Sequence, residues 1–329
     1  MRTGARCPLT GYALTALIML AGTSAPIGSH QAGVPGAGPV YQPRAVTIPA
    51  SALLPTSFPY TLWYGVPVVQ ATVNGMHTER FAVSTGLNAN AVMPEMYARW
   101  QLQATTRQFR VHALDATTSA TEAQIQSLRL GNITFSDVGV VLTDVFALLS
   151  PRPHPDAPAG WLGTPFLSAF QVTFDFANQT IVLSPPKAPL PAEPGTVTVP
   201  FSNRNGRIWV KASVPGGGRF DALVDTGTVT TLIPTAVAER LKQTPLQTFP
   251  ITRGRGQEAR ACLIVVPRIS VGKAEATDIR AVFVAADAPA GFDRALGVLG
   301  MDFLRRFRVT IHFERGRIAF TPSAPASPE

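Results

Sequence analysis

Alternating apolar and polar residues flank a glycine turn at Gly75 and again at Gly216, and each reads as a β-hairpin. Elsewhere Thr, Val and Phe recur in short runs, while Pro and Gly are abundant and punctuate them. This pattern predicts short strands joined by turns rather than long helices. Two helices are predicted after prolines, Glu95 to Leu102 behind Pro94 and Thr235 to Lys242 behind Pro234, because proline suits the first turn. A second pair of short helices is expected at 164–170 and 301–307, each followed by a closing strand.

The pattern is written twice. An offset of 141 carries Ala71–Gly75 onto Ala212–Gly216, Val83–Gly86 onto Val224–Gly227, Leu130-Gly131 onto Val271-Gly272, and Asp137 onto Asp278. It slips to 137 for Gly163–Phe170 against Gly300–Phe307 and for Val172–Phe176 against Val309–Phe313. The chain therefore divides into an N-terminal signal (1–25), a loose Pro/Gly-rich segment (26–58), lobe 1 (59–187), a Pro-rich linker (188–198), lobe 2 (199–321) and a loose tail (322–329).

Composition adds constraints. The formal charge of +8 comes largely from dispersed arginines, with no nucleic-acid motif beside them, so a solvated surface and no nucleic-acid partner are expected. Arg2 and Arg6 precede the apolar run Tyr12–Ala21 and the small residues Gly22 to Ala25, the layout of an export signal. A periplasmic or secreted protein is the expectation; the alternative is an anchor formed by an uncleaved N-terminal segment. Cys7 would leave with the signal, so Cys262 has no partner for an internal disulfide. The five histidines show no ligand spacing, and neither metal nor cofactor is expected.

The candidate chemistry sits on Asp225-Thr226-Gly227, preceded by Leu223-Val224 and followed by Thr228, with Val298-Leu299-Gly300 further on before a short helix. Together these elements resemble the bacterial retropepsin-like aspartic proteases, whose members read LVDTGA…LGMDFL. Leu223–Gly227 and Leu299–Leu304 match that pattern nearly letter for letter. The resemblance implies an all-β protein of two retropepsin-like β-barrel lobes in tandem about a pseudo-twofold axis, acting on a polypeptide substrate or holding a peptide ligand. It further implies one acid from each lobe. Two carboxylates about 3 Å apart share one proton, one serving as base to a water and the other as acid to the scissile carbonyl. The threonines are expected to bond across the pair, and the apolar-apolar-Gly segments, Val298–Gly300 in lobe 2 and Leu162-Gly163 in lobe 1, to brace the turns. Arg253, Gly254, Arg255 and Gly256 are candidates for a flap over the cleft or for a plain polar turn.

Lobe 1 departs from this plan. Its triplet is Ser84-Thr85-Gly86, residue 87 is Leu where lobe 2 has Thr228, and Ser84 to Pro94 spans ten steps against nine from Asp225 to Pro234. The last difference is read as a longer signature turn. Ser84 lacks a Gly-x-Ser-x-Gly elbow and an assignable histidine, which argues against its serving as a nucleophile. Three readings follow: an aspartic-type endopeptidase using Asp225; the same enzyme with its dyad restored in a homodimer through lobe 2; or a pseudoprotease that binds peptides or regulates a partner. Asp225 as a mere turn cap is the bland alternative. Trp161 and Trp209 are expected in the core.

Overall fold

The computed structural model describes residues 46, 48–49, 54–113, 116–143, 156–253, 257–288 and 293–323. Lobe 1 opens with β1 (Thr56–Pro59), β2 (Thr61–Trp63), β3 (Val66–Val73), β4 (His77–Val83) and β5 (Ala91–Val92), then helix α1 (Met96–Arg99). It continues through β6 (Gln103–Ala113), β7 (Ala116–Leu130), β8 (Ile133–Leu142) and β9 (Gly160–Leu162). Helix α2 (Thr164–Leu167) and the hairpin β10 (Gln171–Asp175) and β11 (Thr180–Ser184) close it. Lobe 2 repeats the plan as β12 (Val197–Pro200), β13 (Ser202–Arg204), β14 (Arg207–Val214) and β15 (Gly218–Val224), followed by α3 (Thr235–Leu241). Then come β16 (Gln247–Arg253), β17 (Gln257–Val271), β18 (Ala274–Val284), β19 (Gly297–Leu299), α4 (Met301–Leu304), β20 (Phe307–His312) and β21 (Arg317–Pro322).

The protein is all-β, and the two halves are the two expected lobes. Period-two burial explains the strands: on β14, Ile208, Val210, Ala212 and Val214 turn inward while Lys211 faces water. The helices are shorter than predicted. Gln101 takes a left-handed backbone (φ 51°) and stops α1 early, and α2 and α4 cover one turn each.

A six-stranded sheet ordered β1-β11-β10-β20-β21-β12 is shared by the lobes. Its centre is the antiparallel pair β10–β20, where Thr173 faces Thr310 and their hydroxyls lie 2.9 Å apart. One continuous hydrophobic core runs from Phe135 and Phe166 in lobe 1 through Phe174 and Ile311 to Phe303 and Phe320 in lobe 2. The sheet also claims residues expected to be loose. Thr56 pairs with Leu183, which places residues 56–58 in lobe 1, and Val197 pairs with Phe320, so the linker ends sooner than predicted. Both are edge strands whose backbone groups find partners in the sheet. No helix among the described residues is long and apolar enough to cross a membrane.

Candidate active site

Each signature triplet leaves the end of an inner strand. β4 runs parallel to β9, Val83 opposite Leu162, and β15 runs parallel to β19, Val224 opposite Leu299. The bracing segments then hold the turns identically: Ser84 N–H donates to Leu162 O and Asp225 N–H to Leu299 O, both at 3.1 Å. Beyond the turns, Ala91 pairs with Trp161, and Leu232 bridges to Val298. The offset of 141 thus holds from Ser84 to Ala91, and the signature turn of lobe 1 is not longer than that of lobe 2. The extra residue belongs to the helix entry, where Met93 N–H bonds Ala159 O at a position that Pro234 occupies in lobe 2.

The threonines bond across the lobes as expected. Thr85 Oγ1 donates to Val224 O and Thr226 Oγ1 to Val83 O, each at 2.8 Å. In return Thr226 N–H donates to Thr85 Oγ1 at 3.1 Å, and Thr85 N–H to Thr226 Oγ1 at 3.2 Å. All are buried, so each bond satisfies a group that water cannot reach.

This lock brings Ser84 against Asp225 within one chain. Ser84 Oγ donates to Asp225 Oδ1 at 2.8 Å, and the same oxygen accepts the N–H groups of Gly227 (2.7 Å) and Gly86 (3.1 Å). Thr228 Oγ1 donates to Oδ2 at 2.6 Å, while its counterpart Leu87 can offer nothing. Both glycines are required by space. A Cβ on Gly86 would lie 2.3 Å from Asp225 Cγ, and one on Gly227 would lie 2.6 Å from Ser84 Oγ. Asp225 and Ser84 are both fully buried.

Several contributing residues escaped the sequence reading. Thr231 donates through its hydroxyl (2.5 Å) and its N–H (3.0 Å) to Asp302, and it accepts Gly300 N–H at 3.2 Å. Burial raises the Asp302 carboxyl above its ordinary range, opposed by the Thr231 and Phe303 donors. Lobe 1 solves the same problem with Asn90, which accepts Gly163 N–H and donates to Gly139 O, both at 3.0 Å. The signal available was an acid in the first turn of α4 directly after Val298–Gly300, where lobe 1 has Pro165. Arg207 was also missed: burial pushes its guanidinium down from the usual range, and the charge of Asp225 opposes that.

Around the centre stand two smaller apolar clusters, one per lobe: Ala91, Val141 and Trp161 in lobe 1, Leu232, Val282 and Val298 in lobe 2. Trp161 is buried as expected. Trp209 is partly buried and packs against the lobe 2 cluster, with the Arg204 guanidinium 5.3 Å over its ring. The β16–β17 hairpin stands where a flap was expected, and β6–β7 is its counterpart in lobe 1. Arg253 ends β16, whereas Gly254, Arg255 and Gly256 lie outside the described residues.

Comparison with known families agrees with this geometry. Residues 69–166 match a family described as aspartyl protease, and residues 210–306 match the gag-polyprotein putative aspartyl protease family. No curated protein sequence matches the chain. The two matches fall on successive lobes and together span more than half of the residues, so the chain belongs to the retropepsin-like aspartyl protease family, present here as two tandem copies.

Proposed function

We propose that the chain is an aspartic-type endopeptidase in which Asp225 activates water against a peptide bond of an extended polypeptide. The observation that carries this is the Ser84–Asp225 contact of 2.8 Å inside a single chain, framed by reciprocal threonine bonds. The working unit is accordingly one chain rather than a homodimer through lobe 2, since lobe 1 already occupies the face that a second Asp225 would need. Asp225 is the only carboxylate of the pair and so the only base. Ser84, Gly86, Gly227 and Thr228 fix the orientation of its two oxygens. Export to the periplasm or medium is part of the proposal, supported by Arg2 and Arg6 ahead of the apolar run Tyr12–Ala21.

Ser84 itself favours a second reading. A hydroxyl cannot share the dyad proton, and losing one acid–base partner removes about 10²–10⁴ in rate, which describes a peptide-binding pseudoprotease. One experiment separates the two. The purified chain is incubated with a library of unstructured peptides, and new termini are counted by mass spectrometry beside Asp225→Asn. Cleavage lost in the variant, at a rate per chain that is constant on dilution, is the expected result. Cleavage that survives Asp225→Asn overturns the proposal; binding without cleavage selects the pseudoprotease; a rate per chain that collapses on dilution restores the homodimer.

A further inference from the structure

The two lobes differ at one place on their flanks, where the first strand of each passes the hairpin tip at Gly131 or Gly272. In lobe 2 the strand closes on the tip: a Cβ on Gly272 would lie 2.7 Å from Val199 Cγ1. The offset of 141 makes Phe58 and Gly131 the equivalent pair in lobe 1. There a Cβ on Gly131 would meet nothing nearer than Phe58 Cβ, at 4.0 Å. Beside this looser contact lies a groove of about 470 Å³, lined by Phe58, Tyr60, Val68, Gln70, Thr72 and Arg129 among others. That is room for a small organic molecule. None of the residues lining it belongs to the Ser84–Asp225 centre.

The lining is divided by chemistry. Phe58, Tyr60 and Val68 are buried and form an apolar floor, while Gln70 and Arg129 are exposed and stand at the rim. Neutral acceptors hold the Arg129 guanidinium in place: it donates to Thr72 Oγ1 at 2.9 Å and to Gly131 O at 3.3 Å. Further N–H donors of its planar fork remain. No Asp or Glu lines the groove, and no ion pair engages Arg129 among the described residues. Burial, and after it the charge of Asp175, push the Tyr60 phenol up to about 12, so the floor stays uncharged. Asp175 itself is occupied by Asn178, whose backbone N–H and side-chain amide donate to it at 3.0 and 2.9 Å. Lobe 2 keeps no such cation. Its counterpart of Arg129 is Ser270, bonded to Glu275 at 3.0 Å, and its counterpart of Gln70 is Lys211, paired with Asp221.

We propose that this groove is a second binding site, which takes a small organic carboxylate with its head on Arg129 and its apolar body over Phe58, Tyr60 and Val68. A guanidinium fork matches the two oxygens of a carboxylate. One cation above an apolar floor suits a singly charged head on an apolar body better than a phosphate, which carries more charge. The same chemistry is offered by a free aliphatic acid and by the carboxyl end of a peptide with an apolar last residue. The inference stands apart from the reading of the cleft.

The test compares acids with their uncharged amides by calorimetry at neutral pH. Hexanoate and hexanamide represent the free acid; N-acetylphenylalanine and its amide represent the peptide end. At least one acid should bind the natural chain about tenfold more tightly than its amide, the scale of one charge-assisted hydrogen bond. The acid that binds identifies the source. Arg129→Ser copies the residue that lobe 2 carries at this seat and should erase the preference. Gln70→Lys copies Lys211, adds a second cation at the rim and should strengthen it. Both positions are exposed, and circular dichroism checks that the variants fold. Equal binding of acid and amide, no binding of either acid, or a preference undiminished in folded Arg129→Ser overturns the inference.

Discussion

Replacing Ser84 by aspartate should rebuild a two-carboxylate centre, and the structure sets the size of the effect. Ser84 Oγ lies 2.8 Å from Asp225 Oδ1, so a carboxylate in its place would sit against Asp225. Two charges at ~3 Å with an effective dielectric of ~20 repel by on the order of 5 kcal/mol, roughly four pK units. The pair must therefore retain one proton over much of the acid-to-neutral range, which is the state that provides base and acid together. Restoring the missing acid should raise kcat/KM by about 10²–10⁴ and move its optimum to acidic pH. Two features bear on the gain. The signature turns have equal length from Ser84 to Ala91 and from Asp225 to Leu232, so the backbone places the new acid correctly. However, Leu87 cannot give the outer oxygen the bond that Thr228 gives Asp225 at 2.6 Å. One such bond to a charged group is worth about 1.5–3 kcal/mol, so Ser84→Asp alone should fall at least tenfold short of Ser84→Asp with Leu87→Thr. The assay is a pH–rate profile on a peptide cleaved by the natural chain, with circular dichroism confirming the fold. A folded double variant whose rate and optimum match the natural protein would refute the reasoning, because it would place residue 84 outside the reacting centre.

Gly86→Ala should destabilise the protein by about 2 kcal/mol or more in urea titration, since the new methyl would enter the space of the Asp225 carboxyl group. Thr226→Val strands Val83 O and Thr85 N–H in the interior and should cost about 2–4 kcal/mol, whereas Thr226→Ser should cost far less by the same titration. Asp302 supplies a pH test. Its folded pKa is raised, so the folded state holds the proton more tightly. Stability from this group is full below the ordinary carboxylate range and declines as pH rises through the raised value. Thermal unfolding followed from acid to neutral pH should show that decline in the natural chain and not in Asp302→Asn; identical slopes would contradict it.

The repeat made most of the fold legible, because a register kept over a hundred residues fixes which turns are equivalent, and burial alternation fixes which face of each strand is inside. The family resemblance singled out Asp225, Thr226 and the brace at Leu299, and the repeat carried the same places onto Ser84, Thr85 and Leu162. What stayed hidden were substitutions where the halves reach the same end by different chemistry. Asn90 stands in for Thr231 with Asp302, and neither half advertises the other's solution. Counting to the next proline misplaced the inserted residue, since Pro234 marks the entry of its helix and Pro94 sits one position later against the strand register. Arg207 was lost among dispersed arginines, because no local pattern records the burial that lowers its guanidinium from the usual range.

The sheet that joins the lobes through Thr173 and Thr310 has a consequence for what the protein is free to become. In an assembly of two identical subunits every substitution is made twice, so an acid lost at the axis is lost from both sides at once. Here the two sides are separate stretches of one chain, held in register by a common sheet and a common core. Residue 84 can therefore become serine while residue 225 stays aspartate, and residue 66 can be valine while residue 207 is arginine. A molecule whose two edges differ can tell the amino end of a bound chain from its carboxyl end.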